Sequence, residues 1–80
     1  MQVLLFGKLC DVAGWRSRTI DPAPTSLNAL RALLAAEDAA LADALEGPGI
    51  SAVVNREMVR GDQVLKSDDE VAFLPPMSGG

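Results

Sequence analysis

The residues best suited to chemistry stand at the end of the sequence, where Gly79 and Gly80 follow Pro75-Pro76-Met77-Ser78. Glycine has no Cβ, so a Gly-Gly end can pass down a channel too narrow for any other residue. Its last group is an α-carboxylate, a poor electrophile that an ATP-dependent partner enzyme can convert into an acyl adenylate. Little other chemistry can be assembled from the chain. Histidine and tyrosine are absent, so a Ser-His or Cys-His nucleophile pair lacks its base. Zinc would have to be held by Cys10 and carboxylates, an ill-suited set, and no bound cofactor is expected. Asp68-Asp69-Glu70 lacks the spacing and the glycine of a calcium loop and reads as a solvated turn, with a docking contact to a basic partner enzyme as the alternative. Cys10, with only Lys8 as a basic neighbour, reads as an unreactive structural thiol. Arg56 and Arg60 read as exposed charges, and Trp15 as a packing residue at a hairpin edge.

Composition narrows the setting. Eighty residues with 49% hydrophobic content make one small domain near the lower limit of unaided folding. We place that domain at 1–74 and an extended tail at 75–80. A single cysteine cannot form an internal disulfide, which favours a reducing, cytoplasmic location. The net charge of −4 argues against nucleic acid and anionic membranes as partners. No stretch has the length of a membrane-spanning helix, and Met1 to Leu9 reads as a strand, not as a leader peptide.

The elements that must carry the tail follow from periodicity. Gln2 to Phe6 is an apolar run closed by Gly7 and reads as a buried strand. Lys8 to Gly14 reads as a loop or a single helical turn. Trp15 to Ile20 forms a second strand, ended by Asp21-Pro22-Ala23-Pro24. Thr25 is expected to cap the main helix, with Leu27, Leu30 and Leu34 on one face and Leu33 beside them. Asp38 can cap a second short helix with Leu41 and Leu45 inward, which Gly47-Pro48-Gly49 stops. Ser51 to Val54 and Glu57 to Val59 are strands joined at Asn55-Arg56. Arg60 to Asp69 is a polar loop pinned by Val64 and Leu65, and Glu70 to Leu74 is the last strand. The order predicts an α+β domain with a helix packed on one sheet face.

Strand parity then sorts the side chains. Val3, Leu5, Val71 and Phe73 should point inward with Leu30 and Leu34. Leu4, Phe6 and Leu74 should point away from the helix, Phe6 beside Leu74, with Met58 as a further neighbour. Two readings of that outer face stay open: loops cover it in part, as scattered exposed apolar residues are common, or the cluster marks a partner site.

Three segments carry a family resemblance. Val3-Leu4-Leu5-Phe6-Gly7-Lys8-Leu9 resembles the opening strand of the small subunits of molybdopterin synthase. Val53-Val54-Asn55-Arg56-Glu57 is similar to their third-strand turn. Asp69 to Gly80, with Phe73-Leu74-Pro75-Pro76-Met77-Ser78-Gly79-Gly80, resembles their C-terminal signature almost position for position. These proteins are ubiquitin-like β-grasp sulfur carriers, a group that includes the thiazole-forming carrier of thiamine synthesis. The chain departs from the pattern at Cys10, often basic in the family, and at Asp68, usually glycine there.

The resemblance implies a β-grasp fold, a mixed sheet of four to five strands with one main helix on one face. It also implies a subunit that donates sulfur and is not catalytic alone. An adenylyltransferase similar to ubiquitin-activating enzymes would use ATP to activate Gly80. A sulfur donor enzyme would convert it to a thiocarboxylate, and the sulfur would pass to a pterin precursor in the large subunit, a step of molybdenum cofactor biosynthesis. Pro75 and Pro76 would stiffen the base of the stalk, Met77 and Ser78 would span the channel mouth, and Gly79 and Gly80 would reach the reaction. Phe6, Met58 and Leu74 would meet the large subunit. A sulfur carrier of another pathway, for thiazole or cysteine, a ubiquitin-like protein modifier, and a plain adaptor are the competing readings.

Overall fold

Apolar runs near both ends of the chain build one sheet from distant segments. The structure is a computed structural model that describes residues 1–76. Strand β1 (Gln2–Leu5) pairs in parallel with β5 (Glu70–Leu74) and antiparallel with β2 (Ser17–Thr19). On the other side of β5 lie β3 (Ser51–Val54) and then β4 (Glu57–Val59), both antiparallel connections. The five-stranded order is β2-β1-β5-β3-β4, which puts the two apolar terminal strands at the centre, where both neighbours complete their ladders.

Three helices join these strands: α1 (Lys8–Ala13), α2 (Leu27–Glu37) and α3 (Ala39–Leu45). The sequence predicts at most one helical turn at Lys8–Gly14, whereas six residues are helical there. Leu9 supplies the reason, since it is buried in the main core and anchors a segment with little periodicity of its own. Helix α2 starts one residue later than expected. Ser26, not Thr25, is its cap, accepting from the Ala29 N–H at 3.0 Å, while the Thr25 carbonyl accepts from the Leu65 N–H at 2.9 Å. Asp38 ends α2 and begins α3, its carboxylate accepting from the N–H groups of Ala40 and Leu41.

The core lies between helices and sheet. Val3, Leu5, Leu30, Leu34, Val71 and Phe73 are each at most 1% exposed, as the parity argument requires. Arg31 reaches over the Phe73 ring at 5.2 Å from its centroid. Trp15 is half-buried against the core, with the Arg18 guanidinium 5.5 Å from its ring centroid. Arg18 also pairs with Glu37 at 2.6 Å, an exposed ion pair of small energetic weight.

Two expectations for the loop before β5 need correction. Leu65 is buried but Val64 is 80% exposed, because the backbone of Val64 bridges to Ser26 and turns its side chain outward. The acidic run is not wholly solvated either, since Asp69 is buried. Its carboxylate accepts from the Lys66 N–H at 2.7 Å and from the Asn55 side-chain amide at 2.8 Å. Asp68 stays exposed, and its backbone avoids the positive φ that would call for glycine. No helix among the described residues is long and apolar enough to cross a membrane, and no group of metal-binding side chains occurs among them.

Candidate functional site

The sheet face opposite the helices is set by register. Leu4 faces Ala72, Ala72 faces Val53, and Val53 faces Met58, so one apolar row crosses four strands. Phe6 follows β1 directly, and its N–H donates to the Phe73 carbonyl at 3.2 Å. Extending the parallel register by one step sets Phe6 opposite Leu74, which faces Ser51 on its other side. Phe6 is 44% exposed and Met58 66%, while Leu4, Val53 and Leu74 are half-buried. Leu4, Phe6, Leu74 and Met58, the residues expected on this face, are therefore there. Val53 and Ala72 at its centre are additions to the expected set. The alternation of Val53 against buried Ala52 and Val54 carried the missing signal.

Hydrogen bonds hold this surface in register from both ends. At one edge the Gln2 side chain donates to the Ser17 hydroxyl and accepts from that of Thr19, tying β1 to β2. At the other, Asn55 and Arg56 take positive φ values of 49° and 70°, as a two-residue hairpin turn of this twist demands. The Asn55 amide bonds Asp69, and its carbonyl oxygen accepts from the Glu70 N–H at 2.9 Å. That bracket locks the β3–β4 hairpin onto β5 and so aligns Val53 and Met58 with Ala72. The donated hydrogen bonds, from the Lys66 backbone first and the Asn55 amide second, hold the Asp69 carboxyl below its usual pKa. A charged Asp69 is thus part of the bracket.

The chain leaves this face beside the Phe6–Leu74 pair. Pro75 is half-buried and Pro76 exposed. Met77, Ser78, Gly79 and Gly80, on which the sequence argument centres, lie outside the described residues. Cys10 is half-buried and packs against the core, while Arg56 and Arg60 are exposed. Apart from the terminus, the described residues present no constellation of nucleophile and base. What they offer is an apolar sheet surface, with Pro75 and Pro76 following its Phe6–Leu74 edge.

Comparison with known proteins fits that geometry. The ThiS family matches residues 3–80, almost the full sequence. The chain belongs to the ThiS family. The molybdopterin synthase sulfur carrier subunit of Escherichia coli (strain K12) is 35% identical over 80 residues, covering 100% of this chain and 99% of that protein. The human protein of the same name is 38% identical over 84 residues, covering 100% and 93%. Among solved structures, SAMP1 from Haloferax volcanii superposes with a TM-score of 0.85 at 28% identity, covering 100% of this chain and 98% of that one. A chain in the complex of subunits 1 and 2 of the molybdopterin-converting factor from Helicobacter pylori gives a TM-score of 0.71 at 25% identity, covering 99% and 96%. This ThiS-family chain accordingly has the ubiquitin-like β-grasp fold, with the main helix α2 across one face of a mixed sheet.

Proposed function

We propose that this chain is the sulfur-carrying small subunit of a molybdopterin synthase, with Gly80 as its reacting residue. The observation that carries the reading is the family match running through Gly80, alongside two relatives of that name matched over the whole chain. An adenylyltransferase transfers AMP from ATP to the Gly80 carboxylate and releases pyrophosphate. A sulfur donor enzyme then supplies sulfur at the sulfide level, which attacks the acyl carbon; the C–O bond to AMP breaks, AMP leaves, and Gly80 carries a thiocarboxylate. The large subunit receives that sulfur for its pterin precursor.

In this reading the outer sheet face is the docking surface. Leu4, Phe6, Val53, Met58 and Leu74 would be covered by the large subunit, and the terminus would enter its active site from the rim. The division of labour is physical. A side-chain cluster on a rigid sheet contributes affinity, and a narrow terminus without side chains contributes access. The related Helicobacter pylori complex of two subunits supports a two-chain assembly for this protein too.

The direct test removes the last residue. A chain ending at Gly79 should fold and bind the large subunit, yet support no sulfur transfer to the pterin precursor. Undiminished transfer would refute the carrier mechanism. A second reading is supported by the high structural similarity to SAMP1, a small archaeal modifier protein: attachment of Gly80 to lysines of other proteins. Peptides bearing Gly79-Gly80 in isopeptide linkage, recovered from cells, would establish it.

A further inference from the structure

Pro75 and Pro76 settle against two glycines that come from separate turns. Gly7 lies in the β1–α1 turn at φ +56°, and Gly49 in the α3–β3 turn at φ +80°. A Cβ on Gly7 would lie 3.0 Å from Cγ of Pro75, and one on Gly49 would lie 2.7 Å from Cβ and 3.2 Å from Cγ of Pro76. Lys8 and Leu9 at the start of α1, Gly47 and Pro48 of the α3–β3 turn and both prolines also line one open, mainly apolar cleft of about 340 Å³. Backbone conformation alone does not account for this arrangement. Gly14 and Gly61 have φ values of +81° and +70°, yet nothing lies within 4 Å of where their Cβ atoms would be. Those two glycines answer a conformational need. Gly7 and Gly49 answer that need and a second one, the close approach of another segment.

We propose that Gly7 and Gly49 are positioning residues that form a two-point seat for Pro75 and Pro76, and so set the direction in which the reacting terminus leaves the sheet. The proposal rests on the reading of Gly80 as the reacting group. Each proline ring fixes its own φ, so a displaced ring carries the following residues with it. A side chain at Gly49 would move Pro76 by about 1 Å, because carbon atoms settle at roughly 3.5–4.0 Å. Misplacement of about 1 Å near a reacting centre can cost about 10²-fold in rate. The intervening single bonds take up part of the shift, so a loss of about tenfold is expected from this mechanism.

The experiment compares Gly49→Ala with Gly14→Ala and Gly61→Ala in the full chain. All three add a methyl group at positive φ, but only the first adds it against the tail. Urea unfolding should show a loss of stability for all three, largest for Gly49→Ala, whose methyl also meets Pro76. With the adenylyltransferase and ATP, at matched folded fractions, only Gly49→Ala should slow adenylation of Gly80, by about tenfold. The double variant Gly49→Ala/Pro76→Gly, which removes the ring that is struck, should recover part of that loss. In parallel, nuclear Overhauser contacts from Gly7 to Pro75 and from Gly49 to Pro76 should be present in the native chain. Adenylation of Gly49→Ala at the rate of the two controls would overturn the proposal, as would failure of Pro76→Gly to restore any rate. If the native chain is not adenylated at all, the functional reading falls. The seat is then decided by the Overhauser contacts, and their absence refutes it.

Discussion

The two phenylalanines of this chain lie on opposite faces of one sheet, and truncating each to alanine should separate folding from docking. Phe73 is fully buried and 0% exposed, packed between β1 and β3 under the helices. Its replacement leaves a cavity that rigid neighbours fill only in part, at a cost of about 3–5 kcal/mol. An 80-residue domain has about 4–12 kcal/mol of total stability, at roughly 0.05–0.15 kcal/mol per residue. Phe73→Ala should therefore remove a large share of it. Phe6 is 44% exposed, so just over half of its area is withdrawn from water. Full burial of such a side chain contributes about 1.5–3 kcal/mol, which scales to about 1–1.5 kcal/mol here, without a closed cavity. Each kcal/mol shifts the melting temperature of a domain this small by about 4–8 °C. Urea unfolding followed by the fluorescence of Trp15, the only tryptophan, measures both variants. Binding of Phe6→Ala to the large subunit completes the comparison, with an expected loss of about 1–2 kcal/mol for an aromatic anchor in the interface. Equal destabilisation by the two substitutions, with native affinity retained in Phe6→Ala, would show that the faces have been assigned wrongly.

Three further outcomes follow from the same geometry. Met58→Asp puts a charge on the outer apolar row and should weaken the large-subunit complex by more than about 1 kcal/mol while leaving the unfolding midpoint of the isolated chain nearly unchanged; titration calorimetry and thermal melts read the two quantities. Asp38→Ala removes the acceptor for two N–H groups at the start of α3 and should cost about 0.5–2 kcal/mol, seen as a lower urea midpoint at constant slope. The folded pKa of Asp69 is depressed, so its stabilising effect is complete above the unfolded carboxylate value near ~4 and is lost as pH falls through the lower folded value. Asp69→Asn should flatten that acid limb in a pH series of unfolding curves, and an unaltered limb would assign acid sensitivity to other carboxylates.

Most of the scaffold is legible in the sequence because period and parity leave few options. Gln2 among apolar neighbours fixes which of Val3, Leu4, Leu5 and Phe6 face the helix, and Leu27, Leu30 and Leu34 fix the face of α2. What escaped is decided by contacts between distant segments. Helix α1 exists because Leu9 finds the core, a fact that six residues of local sequence do not contain. Ser26 and Thr25 are chemically equal as caps, and only the pairing of Thr25 with Leu65 selects Ser26. Asp69 resembles any solvated carboxylate until Asn55 is brought beside it. Gly7 and Gly49 likewise read as ordinary turn glycines, since their proximity to Pro75 and Pro76 is created by the sheet order. The outer face was half visible: Leu4, Phe6, Leu74 and Met58 could be named, but joining them in a row through Ala72 and Val53 required the register of four strands.

The central claim is that Gly80 carries sulfur, and the intact mass of the chain measures this most directly. The full chain should be incubated with its adenylyltransferase, ATP and a sulfur donor, then weighed alongside a sample lacking ATP. The account predicts an ATP-dependent increase equal to the exchange of one oxygen for one sulfur, located by fragmentation to Gly80 and lost again when the large subunit and pterin precursor are added. An unchanged mass with all components active, or added sulfur found on Cys10 instead of Gly80, would contradict it.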